Sequence, residues 1–349
     1  MQYILPATIA FLLTIFATFL AIRFFPKWGL MDRPEKYGLK RTPIPYPGGI
    51  VLFAVFTICL LLFFDLTLKL LMLLLSAGIL VLVSFWDDRH PLPAVLRLGV
   101  QVLAAAFLVA AGVGILSISN PLGAPFLLDQ IHIPLALGEY TYDLVLFSAL
   151  FTVIWLVVIA NTMNWLDGIS GLPSGMTAIG ATILFFLSAS PIVNQPEVAQ
   201  LSLVIAAIAF GFWLFDFYPP KILMGDSGAM FFGLLLASLA IFSGGKIATA
   251  FLVLGFPILD AVYVGLSRII KGRAPWKGGE WEKEGRAVHL HHRLLKSGLS
   301  HRKVLLLIYA LSAIFGVAAL FLQTQGKFLA ILLMFSVMVG MGALLRWRS

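Results

Sequence analysis

The sequence predicts an all-α polytopic membrane protein with about eleven transmembrane helices, its N-terminus outside and its C-terminus in the cytoplasm. Three observations lead there. Sixty per cent of the 349 residues are hydrophobic and only 11% are charged, against about 25% charged in a soluble domain. Apolar runs recur that approach the ~20 residues needed to cross ~30 Å of hydrocarbon. The basic residues fall almost entirely into alternate connections between those runs, and positive charge marks the cytoplasmic side.

The runs lie at roughly 3–25, 48–64, 69–86, 95–116, 144–161, 174–190, 198–216, 227–243, 246–269, 303–322 and 327–346. The second and third are short enough to tilt or merge. Connections after odd-numbered runs, with the C-terminal tail, hold 21 of the 24 Lys and Arg residues; the other side has only Lys69, Lys246 and Lys327. The asymmetry places the connections 26–47, 87–94, 162–173, 217–226 and 270–302 in the cytoplasm, and a wrong number of spans would scramble it. The first basic residue, Arg23, follows the first apolar run, the reverse of a secretory signal. The outer connection 117–143 carries two strand-like stretches around a turn, which suggests a small external β-hairpin near 120–142. His132 within it reads as a surface histidine rather than a ligand. No internal repeat or low-complexity linker divides the chain, so 1–349 reads as one membrane domain.

Composition also excludes some roles. The single cysteine, Cys59, cannot form a disulfide within the chain. The net charge of +8 is spread over the connections on one side and accompanies no zinc-finger or RNA-binding signature. It therefore points to membrane lipid and not to nucleic acid.

Five polar stretches stand out, all on the basic side. Asp87 and Asp88 follow the third run. Two adjacent carboxylates repel, and one is pushed toward its neutral form unless a cation compensates; alternatively they form a solvated helix end neutralised by Arg89. After the first run, Lys40 and Arg41 could hold phosphate or anchor the chain to anionic lipid. They precede Pro43, Pro45 and Pro47, which favour extended backbone, and Gly48-Gly49, which permits close approach. After the fifth run, Asn161, Asn164 and Asp167 step by three, onto nearly one helical face. Gly168 and Gly171 then break the helix. Such a row suits a nucleotide or metal, and helix capping explains it less well. Asp216 and Asp226 flank a proline-rich turn. Asp226 and Ser227 stand where the eighth run begins, at an anion-binding helix N-terminus or as a plain cap. His289, His291, His292 and Arg293 lack the spacing of a zinc helix and suit a diphosphate, or else a solvated basic loop. Pro257 and Asp260 interrupt the ninth run, and an ionisable residue within a span is a functional candidate.

In order and spacing, from about Gly29 to Leu295, these stretches resemble the polyprenyl-phosphate N-acetylhexosamine-1-phosphate transferases, glycosyltransferases of the family 4 type. That family includes undecaprenyl-phosphate GlcNAc-1-phosphate transferase and the phospho-MurNAc-pentapeptide translocase. The residues that carry the likeness are 45–49, Asp87-Asp88, 161–172, 224–228, 257–260 and 289–294. The histidine stretch is similar to the UDP-N-acetylglucosamine branch more than to the muramoyl-pentapeptide branch, which stays the alternative. Two positions depart: family members commonly carry aspartate at Ser170 and asparagine at Asp216.

The resemblance implies transfer of a sugar 1-phosphate from a UDP-N-acetylhexosamine to a polyprenyl phosphate, with UMP released, at the cytoplasmic face of the inner membrane. It implies Mg2+ as cofactor, with Mn2+ able to substitute, and leaves room for a homodimer. Asp226 would hold the metal, with Asp167 at or near metal and donor. Asp87 is the first candidate for the lipid-phosphate proton, with Asp88 able to serve instead because adjacent carboxylates titrate as a pair. Lys40, Arg41, Asn161, Asn164, Asp216, Asp260, His289, His291, His292 and Arg293 would bind substrate. A transporter is the reading from another class. It would be expected to show paired repeats and binding at the bilayer midplane.

Overall fold

A computed structural model describes residues 2–37, 41–137, 140–245, 247–270 and 289–347. Among them eleven long helices coincide in order with the eleven expected spans. They are α1 (Ile4–Phe24), α2 (Gly49–Phe63), α3 (Leu68–Arg89), α4 (Ala94–Ala110), α5 (Leu146–Leu166), α6 (Leu172–Ala189), α7 (Pro196–Asp216), α8 (Gly225–Phe242), α9 (Ile247–Ile270), α11 (His301–Phe321) and α12 (Thr324–Trp347). A short helix, α10 (Leu290–Lys296), precedes α11. Nine of the described helices are long and apolar enough to cross a membrane, and α2 and α4 are shorter apolar helices of 15 and 17 residues. The chain is a multi-pass all-α membrane protein. In hydrocarbon no water can satisfy a free N–H or C=O, so a spanning segment must close its hydrogen bonds within itself.

Helix α8 is the axis of the bundle. Almost every residue from Gly225 to Ile241 is buried, and α8 packs on α2, α3, α5 and α6. Small residues allow this. A side chain at Gly233 would stand 2.6 Å from Ala160 Cα of α5, and tight backbone approach of this kind holds membrane helices together where no hydrophobic drive exists. At the periphery, α12 keeps only 11% of its apolar window buried. Pro257 lies inside α9, which stays helical through it.

The helices overrun the apolar runs at one end. α3 continues to Arg89, so Asp87 and Asp88 occupy its last turn and not a connection. α5 continues to Leu166, keeping Asn161 and Asn164 helical, and α8 begins at Gly225. Hydropathy marks where lipid contact ends, whereas the hydrogen-bond ladder carries on through polar residues. α4 does the opposite and stops at Ala110, six residues early. Gly112 there takes φ +76°, and Val113 N–H bonds back to Leu108 O at 3.0 Å, a left-handed stop that glycine permits.

The expected hairpin is present as β3 (His132–Leu137) paired antiparallel with β4 (Tyr140–Val145), His132 opposite Val145. A second ladder of two residues each, β1 (Ser117–Ile118) on β2 (Phe126–Leu127), lies beside it in sequence. His132 is exposed, with Nδ1 2.6 Å from Asp143 Oδ2 and Nε2 2.8 Å from Asp129 O. The Asp143 contact, then the Asp129 carbonyl, raises its pKa.

Candidate active site

At the end of the bundle opposite the hairpin, the segment before α2 lies against the segment before α8. Leu223 N–H bonds to Pro45 O at 3.0 Å, Gly48 N–H to Leu223 O at 2.8 Å and Gly49 N–H to Met224 O at 3.1 Å. The prolines keep the first strand of this pairing extended, and the glycines let it close. A Cβ on Gly49 would strike Gly228 N and Ser227. Gly225 is the junction: at φ +77°, a Cβ there would stand 2.8 Å from Pro47 Cβ and from Tyr46 Cε2, and 3.1 Å from Asp88 Oδ2.

Four carboxylates enter from this junction with unequal fates. Asp87 is fully engaged, accepting from Leu92 N–H at 2.6 Å and pairing with Arg97 at 3.1 Å. Asp88, next in the helix, faces Tyr46 and the first turn of α8, and its buried Oδ2 has no hydrogen-bond partner among the described residues. Asp226 is the second residue of α8 and makes no cap, the N-cap being Met224. Asn164 turns its buried amide toward the Asp226 carboxylate. Asp167 ends α5 and faces Gly225 N–H. Burial, and then the charges of Asp216, Asp226 and Asp88, hold its pKa well above the usual carboxylate range. Burial and then Asp88 drive the Tyr46 hydroxyl far upward too. Asp88, Asp167 and Asp226 each remain partly exposed, so the group opens onto a cleft.

Like charges held this closely, beside the orphaned Oδ2 of Asp88, suit a cation. Among the described residues no three metal-binding side chains approach closely enough for a full protein cage. Magnesium does not need one, since it is held by one or two carboxylates with water and substrate phosphate oxygens. Asp226 and Asp167 fit that donor set.

Three histidines close the cleft from the far side. Asp260 of α9 uses both oxygens to seat them: Oδ2 is 2.8 Å from His289 Nδ1, and Oδ1 accepts Leu290 N–H at 2.8 Å. His289 and His291 lie nearly parallel with centroids 5.5 Å apart, and His292 is 4.2 Å from His291. A Cβ on Gly168 would be 3.0 Å from His292 Nε2 and 3.1 Å from His291 Nε2. Glycine therefore admits the imidazoles right beside Asp167. His291 is fully buried with neither ring nitrogen bonded. Burial, then His292 and His289, lower its pKa well below the ordinary value.

Residues 70–244 match the sequence pattern of glycosyl transferase family 4. The chain belongs to this family. Among relatives, a Bacillus subtilis (strain 168) protein named as a probable undecaprenyl-phosphate N-acetylglucosaminyl 1-phosphate transferase is 29% identical, covering 90% of this chain and 83% of its own. The decaprenyl-phosphate N-acetylglucosaminephosphotransferase of Mycobacterium leprae is 30% identical over 86% of this chain and 78% of its own. The undecaprenyl-phosphate alpha-N-acetylglucosaminyl 1-phosphate transferase of Yersinia pestis is 27% identical over 87% and 80%.

In this family 4 chain the cleft gathers Asp88, Asn164, Asp167, Asp226, His289, His291 and His292. Other expected site residues work from behind. Asn161 donates to Gln101 Oε1 at 2.6 Å and Val157 O at 2.8 Å, tying α5 to α4. Asp260 positions His289. Arg41 pairs with Asp32 at 2.5 Å, and Arg293 donates to Gly342 O of α12 at 2.8 Å. Asp216 accepts Gly171 N–H at 3.0 Å and the Ser174 hydroxyl at 2.8 Å. The two departures, Ser170 and Asp216, thus lie side by side. Lys40 lies outside the described residues, as does most of 270–302. Sequence reasoning passed over Tyr46 and Gln101. Gln101, polar within an apolar run, was the signal available for the second; Tyr46 sat within a noted stretch with nothing to single it out.

Proposed function

We propose that the chain transfers N-acetylglucosamine 1-phosphate from UDP-N-acetylglucosamine to a polyprenyl phosphate, yielding the polyprenyl-diphosphate sugar and UMP. The observation that carries this is the convergence of three open carboxylates, an amide and three histidines on one cleft, in a chain whose relatives bear names for this reaction. The muramoyl-pentapeptide alternative is not favoured, because the similar proteins quoted above are named for N-acetylglucosamine. An oxygen of the lipid phosphate attacks the β-phosphorus, the bond to the α-phosphate bridging oxygen breaks, and that oxygen leaves with UMP. In this reading Mg2+, held by Asp226 and Asp167, would supply charge neutralisation for the diphosphate. Asp88 takes the acceptor's proton and orients it, in preference to Asp87, whose oxygens are both engaged. The histidines face the phosphate oxygens, with Asp260 accepting Nδ1–H of His289 so that its Nε2 faces the cleft, where it donates to phosphate only when the ring carries both protons. Positioning and charge stabilisation of this kind make up most of phosphoryl-transfer catalysis. In this reading the cleft faces the cytoplasm at the inner membrane, a placement supported by the basic residues gathered in the connections on that side.

The test is purified protein in detergent with undecaprenyl phosphate and either UDP-N-acetylglucosamine or UDP-MurNAc-pentapeptide, reading UMP and lipid-linked product. Turnover of the first donor alone is expected. Turnover of the second alone would overturn the donor, and no UMP from either would overturn the reaction.

A further inference from the structure

The turn between α5 and α6 carries Asp167 and is held at one residue from two distant helices. Gly171, at φ +88°, is the N-cap of α6. Its N–H is taken by Asp216 Oδ2, from the last turn of α7. Its carbonyl accepts the hydroxyl of Tyr309, which reaches in from α11, 138 residues further along the chain. The same carbonyl also accepts Ser174 Oγ at 3.1 Å and Gly175 N–H at 3.0 Å. Trp213 Nε1 donates to the Tyr309 oxygen at 3.1 Å, fixing which way that hydroxyl turns. The tyrosine reaches the peptide because residue 175 is glycine: any Cβ there would overlap the Tyr309 ring and hydroxyl.

The N–H and the C=O of a single residue, in the two successive peptide groups that it joins, are thus gripped, four residues after Asp167. The intervening backbone has little freedom. Asp167 N–H bonds to Asn164 O at 3.1 Å and Leu172 N–H to Ile169 O at 3.0 Å, and Ile169 and Leu172 are buried. Neither grip hydrogen-bonds a cleft side chain, though the charge of Asp216 acts on Asp167. Asp216 is fully buried, and Trp213 and Tyr309 lie behind the turn.

The geometry points to Tyr309 and Asp216 as a pair of positioning residues that clamp the Gly171 peptide and so set where Asp167 presents its carboxylate. This rests on the reading of Asp167 as a ligand to metal or donor, but the clamp itself has a test free of that reading. Removing a grip leaves every cleft side chain in place and loosens the turn.

The first readout is hydrogen–deuterium exchange over 166–174 in the full chain, without substrate. Tyr309→Phe keeps the ring and loses the donor to Gly171 O together with the acceptor for Trp213 Nε1, and is expected to speed exchange there by about tenfold, the worth of one ordinary buried hydrogen bond. Asp216→Ala should do the same, and Asp216→Asn, which keeps an acceptor for Gly171 N–H, should restore the wild-type protection. The second readout is the Mg2+ dependence of UMP release. The Mg2+ concentration for half-maximal rate should rise roughly tenfold in Tyr309→Phe, while the rate at saturating Mg2+ falls by less than about threefold. Unchanged exchange over 166–174 in Tyr309→Phe overturns the clamp, whatever Asp216→Ala does to folding. Faster exchange with unaltered Mg2+ dependence keeps the clamp and removes Asp167 from the metal. Inactive wild-type protein would count against the proposed reaction and leave the exchange test standing.

Discussion

Exchanging Asp87 or Asp88 for asparagine should separate two neighbours that sequence alone treats as a pair. Asp87 is 8% exposed and its partner Arg97 is 40% exposed. Asparagine at 87 still accepts Leu92 N–H but loses the charge facing a guanidinium in partial contact with solvent. A half-exposed ion pair contributes about 0.5–1 kcal/mol, and weakening the charge-assisted bond to Leu92 adds about 0.5–1 kcal/mol. Asp87→Asn should therefore lose about 1–2 kcal/mol of stability and less than about tenfold in turnover. Asp88 has no such partner, and its neighbours Asp226 and Asp167 repel it. Asp88→Asn removes that repulsion, so stability should hold or rise slightly. Turnover should fall about a thousandfold, in the middle of the range for loss of a general base, or ~4 kcal/mol of barrier. The assay pairs UMP release with thermal melting in the same detergent. Comparable loss of turnover in both variants, or wild-type turnover in Asp88→Asn, would refute the assignment.

Asp226→Asn removes a charge from a residue that does not cap its helix, so melting should be little changed while turnover drops about a thousandfold and its response to Mg2+ is blunted; wild-type turnover with wild-type Mg2+ response would take Asp226 off the metal. Burial, then His292 and His289, depress the His291 pKa, so below the ordinary 6.5 the unfolded chain binds a proton that the folded chain refuses. Stability should fall as pH drops through that window, and His291→Phe should flatten the slope; an equal slope in the variant would deny His291 this part. In a Cys59→Ser background, an impermeant thiol reagent on intact cells should label Ser119→Cys and spare Ser297→Cys, and the opposite pattern would invert the orientation.

The spans were legible because lipid imposes one rule on every residue that faces it. The ends were not, because no such rule governs polar residues beyond the hydrocarbon. Asp87 and Asp88 differ in fate through about 100° of helical phase and the presence of Arg97 across a turn, and neither is written in the dipeptide. Asp226 was legible as a charged residue at a helix start. Its position inside the first turn, which excludes capping, depended on where α8 begins. Asp216 read as a substrate ligand by resemblance, yet its Oδ2 is taken by the Gly171 N–H and the Ser174 hydroxyl. Tyr309 carried no signal at all: an aromatic in an apolar span is ordinary, and what distinguishes it is a glycine 134 positions earlier, at residue 175.

The cleft draws its carboxylates from helices α3, α5 and α8, and its histidines and tyrosine grip from beyond residue 288. A ribosome that has delivered the chain through α8 has already placed Asp88, Asp167 and Asp226 in the membrane-bound product. The imidazoles and Tyr309 are still unmade at that moment. The nascent bundle must therefore hold its crowded carboxylates without these groups for the time it takes to synthesise the final third. A chain released between the end of α8 and residue 289 would hold Asp88, Asp167 and Asp226 and none of the three cleft histidines, so it would lack one wall of its cleft.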